Sequence, residues 1–242
     1  MLSVSRLVLV RHGQASFLEA DYDKLSPLGE AQSRLLGDYW AKRNVLFDRL
    51  AAGPRARQKD TAKIVAESYR QAGVPFPETI VMPEFDEYDG EALLRRALPQ
   101  LLESHETVRD LFRSFENSPT PSERSKQLQK LLEIIVIDWV NGDLVVPEVE
   151  SWAEFRGRVN RGISQFISQC GHGARAAIFC SGGPIAIAVE RALHLLPLDT
   201  LRVMWMSRNA SYTDFLFSGN RFTLSAFNAF PHLDDDSLLT YR

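Results

Sequence analysis

A chain of 242 residues with 45% hydrophobic and 24% charged residues can bury a full core, and its composition is that of neither a disordered nor a fibrous protein. Its formal net charge of -3 supplies no general basic field, which argues against nucleic acid or an anionic membrane surface as partner, so any anion must be caught locally. No stretch approaches the roughly 20 apolar residues of a membrane span, and the apolar run at residues 7–10 is too short for a signal peptide, so a soluble, cytoplasmic protein is expected.

Residues 6–10 read as a buried strand that opens into Arg11-His12-Gly13. Ser26 as N-cap and Pro27 at the first helical position then start a helix, with Leu28, Ala31, Leu35 and Tyr39 on one face. The pattern repeats with a strand at 48–52, a helix from about 58 to 72 stopped by Gly73, and a strand at 79–82. This alternation predicts an α/β fold of three layers, a mostly parallel sheet with helices on both faces.

Between residues 91 and 140 the alternation gives way to helix, broken by Pro and Ser at 118–122, with Leu128, Leu131, Leu132, Ile135 and Trp139 on one face. We read residues 91–150, approximately, as a helical cap inserted into a single domain spanning 1–242, its apolar stripe serving packing. Ser151 and Glu154 form a capping box for a helix carrying Trp152, Phe155, Val159, Ile163 and Phe166. Residues 174–180 are the next buried strand, Ser181-Gly182-Gly183 a turn, and Pro184 the start of a helix. Residues 212–217 and 221–227 flank Gly219-Asn220 as a hairpin. His105 and His194 fall in helical segments.

In a parallel sheet the ligand crevice lies beyond the carboxyl ends of the strands. Those ends carry Arg11-His12-Gly13, Gly53-Pro54-Arg55-Ala56-Arg57, Glu84-Phe85-Asp86-Glu87 and Ser181-Gly182-Gly183. Arginine and glycine flanking a histidine at such an end supply a phosphate clamp, a nucleophile and room for close backbone approach. Cys170 and Cys180 match neither a metal spacing nor a disulfide framework, and a cysteine-phosphatase loop starting at Cys180 would need arginine where Ala186 stands. Gly171-x-Gly173 precedes its strand and so is no dinucleotide fingerprint, and Phe179-x-Ser181 lacks the glycine of a nucleophile elbow.

Leu7-Val8-Leu9-Val10-Arg11-His12-Gly13-Gln14 resembles the opening signature of the histidine phosphatase superfamily, which includes the phosphoglycerate mutases. Arg57-Gln58-Lys59-Asp60-Thr61-Ala62 resembles its second motif, an arginine four residues ahead of Thr-Ala, and Asn209-Ala210-Ser211 through Phe227-Asn228 its C-terminal strands. The resemblance implies that His12 attacks phosphorus and becomes a phosphohistidine, with Arg11 and Arg57 on the equatorial oxygens; no metal or other cofactor is needed. Counting back from Thr61 favours Arg57, with Arg55 the competing arginine. Glu87 matches the position of the proton donor, with Glu84 and Asp86 as alternatives. Gly13, Gln14, Ser181, Gly182 and Gly183 are expected to line the substrate.

The chain departs from that pattern where Ser181 replaces a second histidine ahead of two glycines. His172 lies at the wrong end of its strand to compensate, while His232 has no place assigned by sequence. The Arg-His-Tyr-Gly run by which the glycolytic mutases hold a carboxylate is also missing, since Glu87 is followed by Tyr88-Asp89-Gly90. The expected activity is therefore hydrolysis of a small-molecule phosphomonoester or a phosphoprotein. The rival, supported by Ser181, is a catalytically weak or inactive phosphoanion-binding protein of the same fold.

Overall fold

A computed structural model describes residues 4–16 and 23–241. The chain divides into two compact units, one built from residues up to 87 and from 158 onward, the other from residues 88–157.

The first unit holds a six-stranded sheet in the order β3-β2-β4-β1-β5-β6, formed by β1 (Ser5–Arg11), β2 (Arg49–Ala52), β3 (Thr79–Val81), β4 (Arg175–Cys180), β5 (Tyr212–Ser218) and β6 (Arg221–Ala229). β1, β2, β3 and β4 run parallel, while β5 and β6 form the expected hairpin and add antiparallel to β1. Both faces of β1 and β4 are covered, which is why they read as continuous apolar runs. Their fully buried Leu7, Leu9, Ile178 and Phe179 are each worth about 1.5–3 kcal/mol by burial.

On one face lie α1 (Pro27–Lys42) and α2 (Ala56–Gln71), packed around Leu36, Trp40, Val65 and Tyr69. Ser26 caps α1 through Gly29 N as its sequence predicts. The buried face of α1 is not the expected one: Ala31 is exposed and Leu35 and Tyr39 only half-buried, while Gln32, Ser33, Leu36, Gly37 and Trp40 face inward. Polar and small residues can occupy that face because Gln32 is fully hydrogen-bonded, accepting from Gln14 N and donating to the Leu238 carbonyl and Thr240 Oγ1.

Also in this unit are α7 (Gly182–Leu193) and α8 (Pro197–Met206), the latter absent from the sequence reading. α7 begins two residues before the expected Pro184, with Ser181 as its extended N-cap. Proline is tolerated there because the first-turn N–H groups have no intrahelical partner to lose. His194 ends α7 with φ 56° instead of lying within a helix.

The second unit is helical, with α3 (Gly90–Ser104), α4 (Glu106–Glu116) and α5 (Pro121–Asn141). His105 lies between α3 and α4 with extended backbone, again outside any helix, and Leu131, Ile135 and Trp139 form the buried side of α5. α6 (Trp152–Ser168) starts at the predicted capping box, where Ser151 N donates to Glu154 Oε2 and Glu154 N to Ser151 Oγ. Among the described residues no helix is long and apolar enough to cross a membrane.

Candidate active site

Sheet register sets the site. Arg11 pairs with Cys180, so His12 and Ser181 leave neighbouring parallel strands side by side, about 4.8 Å apart by the ordinary strand spacing. The ladder continues past both ends, with His12 N donating to the Cys180 carbonyl at 2.9 Å and Gly53 N to the Phe179 carbonyl at 2.9 Å. The exits of β2, β4 and β1 therefore line up in that order.

His12 is 5% exposed. Its Nδ1 lies 2.7 Å from the Gly13 carbonyl, and Arg57 Nε donates to its Nε2 at 3.1 Å. A donor on Nε2 and an acceptor on Nδ1 select the tautomer with the proton on Nδ1 and the lone pair on Nε2. Burial, then the charges of Arg57 and Arg11, push the imidazole pKa well below its ordinary value, so the ring is neutral. The backbone holds it equally closely. Ala210 N and Asn209 Nδ2 both donate to the His12 carbonyl, at 3.1 and 3.2 Å. Ala210 does so from the left-handed region, φ 54°, a conformation that costs about 1–3 kcal/mol and is found where a site needs it. Gly13 donates to Thr61 Oγ1 at 3.0 Å and lies against α1 so closely that a β-carbon would come within 2.2 Å of the Gly29 carbonyl oxygen.

Of the two competing arginines, Arg57 is the one on His12. It is 6% exposed, and Asp23 grips it through Nη1 at 2.8 Å while also accepting from Ala56 N at 2.7 Å. Arg55 instead pairs with Asp86 at 2.5 Å, both side chains about a third exposed. Arg11 donates to the Ser207 carbonyl, and its Nε lies beside Gly182, 3.9 Å from where a β-carbon would be.

The acidic turn separates in the same way. Glu84 lies against α6 at Gly162, and Asp86 is taken by Arg55. Glu87 alone of the three reaches the β4 exit, where its Oε2 accepts from Gly183 N at 2.9 Å. Arg158 fastens the turn ahead of it by donating to the Pro83, Glu84 and Asp86 carbonyls. Ser181, 1% exposed, accepts through Oγ from Gln58 Nε2 at 2.8 Å.

Two of the expected substrate-lining residues have hydrogen-bond partners within the chain. Gln14 Oε1 accepts from Ser26 Oγ at the start of α1, and the N–H of Gly13 is taken by Thr61. His232 packs between Tyr39 and Tyr212, beneath α1. Asp23, Gln58, Thr61 and Asn209 enter the site without having been chosen from sequence. Gln58, Thr61 and Asn209 stand in blocks that carry the family resemblance, whereas Asp23 carries no local signal.

Comparison with known proteins gives a consistent result. The family model described as histidine phosphatase superfamily (branch 1) matches residues 7–229. A broad-specificity phosphatase of Saccharomyces cerevisiae is 30% identical over 79 residues, 30% of this chain and only 34% of that protein's length. Among solved structures, a mycobacterial glucosyl-3-phosphoglycerate phosphatase in complex with inorganic phosphate superposes with TM-score 0.59 at 19% identity, covering 94% of this chain and 98% of that one. A phosphoglycerate mutase from Bacillus anthracis gives 0.60 at 16% identity and 96% of each chain. Such identities speak to the shared fold.

Proposed function

Since the chain belongs to the histidine phosphatase superfamily, we propose that it hydrolyses phosphomonoesters through a phosphohistidine formed on His12. The observation that carries this reading is the neutral, buried imidazole, with Nδ1 on the Gly13 carbonyl and the Nε2 lone pair under Arg57. Nε2 attacks phosphorus in line, the ester P–O bond breaks, and the departing oxygen takes a proton from the Glu87 carboxyl. Water then adds to phosphorus and gives its proton to Glu87. The P–N bond breaks, and phosphate leaves with the site restored. Arg11 and Arg57 spread the transition-state charge, the larger part of what phosphoryl transfer asks of a protein. Glu87 is preferred as acid because the stem of Glu84 packs against Gly162 of α6 and Asp86 is paired with Arg55, while Glu87 reaches the β4 exit. Hydrolysis is favoured over mutase chemistry because Tyr88-Asp89-Gly90 follows the acid. The phosphatases among the similar proteins support a phosphate-ester substrate.

The test is to trap radioactive phosphate from a labelled aryl phosphate. The label should be acid-labile, map to His12 and vanish with all turnover in His12→Ala. Vanadate binding without any label or turnover would favour a phosphoanion-binding protein, the reading that Ser181 supports.

A further inference from the structure

Gln58 is fully buried at the third position of α2, yet its carboxamide meets three separate chain segments. Oε1 accepts from Arg55 N at 3.1 Å, while Nε2 donates to the Phe85 carbonyl at 3.3 Å and to Ser181 Oγ at 2.8 Å. The two backbone partners settle which way round the amide lies. An N–H can only donate and a carbonyl can only accept, so the –NH2 must face Phe85 and Ser181. Gly53 leaves the room this requires, since a β-carbon there would come within 2.1 Å of Gln58 Oε1. The amide thus joins the β2 exit, the turn that carries Glu87 and the β4 exit.

The consequence falls on Ser181. With one lone pair of Oγ occupied by an obligatory donor, the serine cannot act as donor toward Gln58, and its own proton is directed elsewhere. Ser181 lies level with His12 on the neighbouring strand exit. We infer that Gln58 is a positioning residue for the phosphoryl group: by donating to Ser181 Oγ from a fixed orientation, it keeps the serine hydroxyl as a neutral donor to a phosphoryl oxygen beside His12. The inference rests on the phosphate-site reading above and deepens it by assigning a second, uncharged hydrogen-bond source to the β4 side.

A double-mutant cycle on the full chain tests it, using Gln58→Met, Ser181→Ala and the pair. The readouts are orthovanadate inhibition, KM and kcat for an aryl phosphate, and thermal melting. Loss of one neutral hydrogen bond should weaken vanadate and raise KM by roughly three- to tenfold in each single variant. Because both act through one hydroxyl, the pair should be no weaker than Ser181→Ala alone. A merely structural Gln58 would instead lower the melting temperature and weaken vanadate by the same factor in both backgrounds, which overturns the inference. Vanadate affinity unchanged in Gln58→Met would overturn it too. Both results leave the phosphatase reading standing if wild type still labels on His12. Wild type that neither labels nor binds vanadate overturns both.

Discussion

The two sides of the candidate active site are held by different chemistry. On the β1 side charged groups do the holding: Asp23 grips Arg57, Arg57 covers His12, and Arg11 reaches the carbonyl of Ser207. On the β4 side Gln58 meets the neutral hydroxyl of Ser181, and the backbone of Gly183 meets the carboxylate of Glu87. Charge-assisted bonds are roughly twice as strong as neutral ones. The β1 side should therefore carry most of the anion's binding and transition-state stabilisation, and the β4 side its placement and its proton. The contrast teaches that one strand exit of a sheet can be held by ion pairs around a buried imidazole while its neighbour is held by an uncharged amide and hydroxyl.

Removing charge from the β1 side is the most direct way to break that contrast. Arg57→Ala should lower kcat/KM by at least about a hundredfold, whereas Arg55→Ala, which loses a part-exposed ion pair, should cost no more than about threefold. Steady-state assays giving the reverse order would move the clamp to Arg55. Next comes the proton. Glu87→Gln should slow alkyl phosphates by on the order of a hundredfold and nitrophenyl phosphate hardly at all, because nitrophenolate leaves without protonation. Equal losses on the two substrates would remove Glu87 from the acid role.

Adding charge to the β4 side sharpens the comparison from the other direction. Ser181→His should raise turnover about tenfold at low pH, where the new imidazole is protonated, and by nothing in a His12→Ala background. No gain in a folded Ser181→His variant would mean that the neutral side already suffices. The smallest expected effect is the absence of one. Because burial, Arg57 and Arg11 depress the His12 pKa, the ring nitrogens should keep their neutral nitrogen-15 shifts from about pH 7.5 down through the ordinary histidine value of about 6.5. A midpoint near 6.5 would remove His12 from the charged surroundings described above.

What the sequence disclosed, and what it hid, follows the range of the interactions. Ser26 before Pro27, and Ser151 with Glu154, are caps made within four residues, and both form as their local chemistry dictates. The strands delivering His12 and Ser181 were legible because both faces are buried and the apolar runs are continuous. The buried face of α1 lies about a quarter turn from the one its apolar spacing indicates, since Gln32 is buried through partners as far off as Leu238 and Thr240. The roles of Asp23 and Gln58 were hidden for the same reason: each is an ordinary polar residue until the fold brings Arg57 or Ser181 against it. The choice between Arg55 and Arg57 rested on motif spacing, and the structure puts the second of them on His12.

His232 offers a consequence of another kind, in proton linkage. It is 6% exposed, packed between Tyr39 and Tyr212, and burial pushes its pKa down to about 4. The folded protein therefore declines a proton that the unfolded chain accepts below about pH 6.5. Above that pH neither state binds it and the contribution to stability is intact. As the pH falls toward 4 the unfolded state gains protons alone, and about 3 kcal/mol is lost at about 1.4 kcal/mol per pH unit. Acid should accordingly loosen the seam between α1 and β5. His232→Phe should melt with a shallower pH dependence between about pH 6.5 and 4 than the wild type, and an unchanged slope would place the acid sensitivity elsewhere.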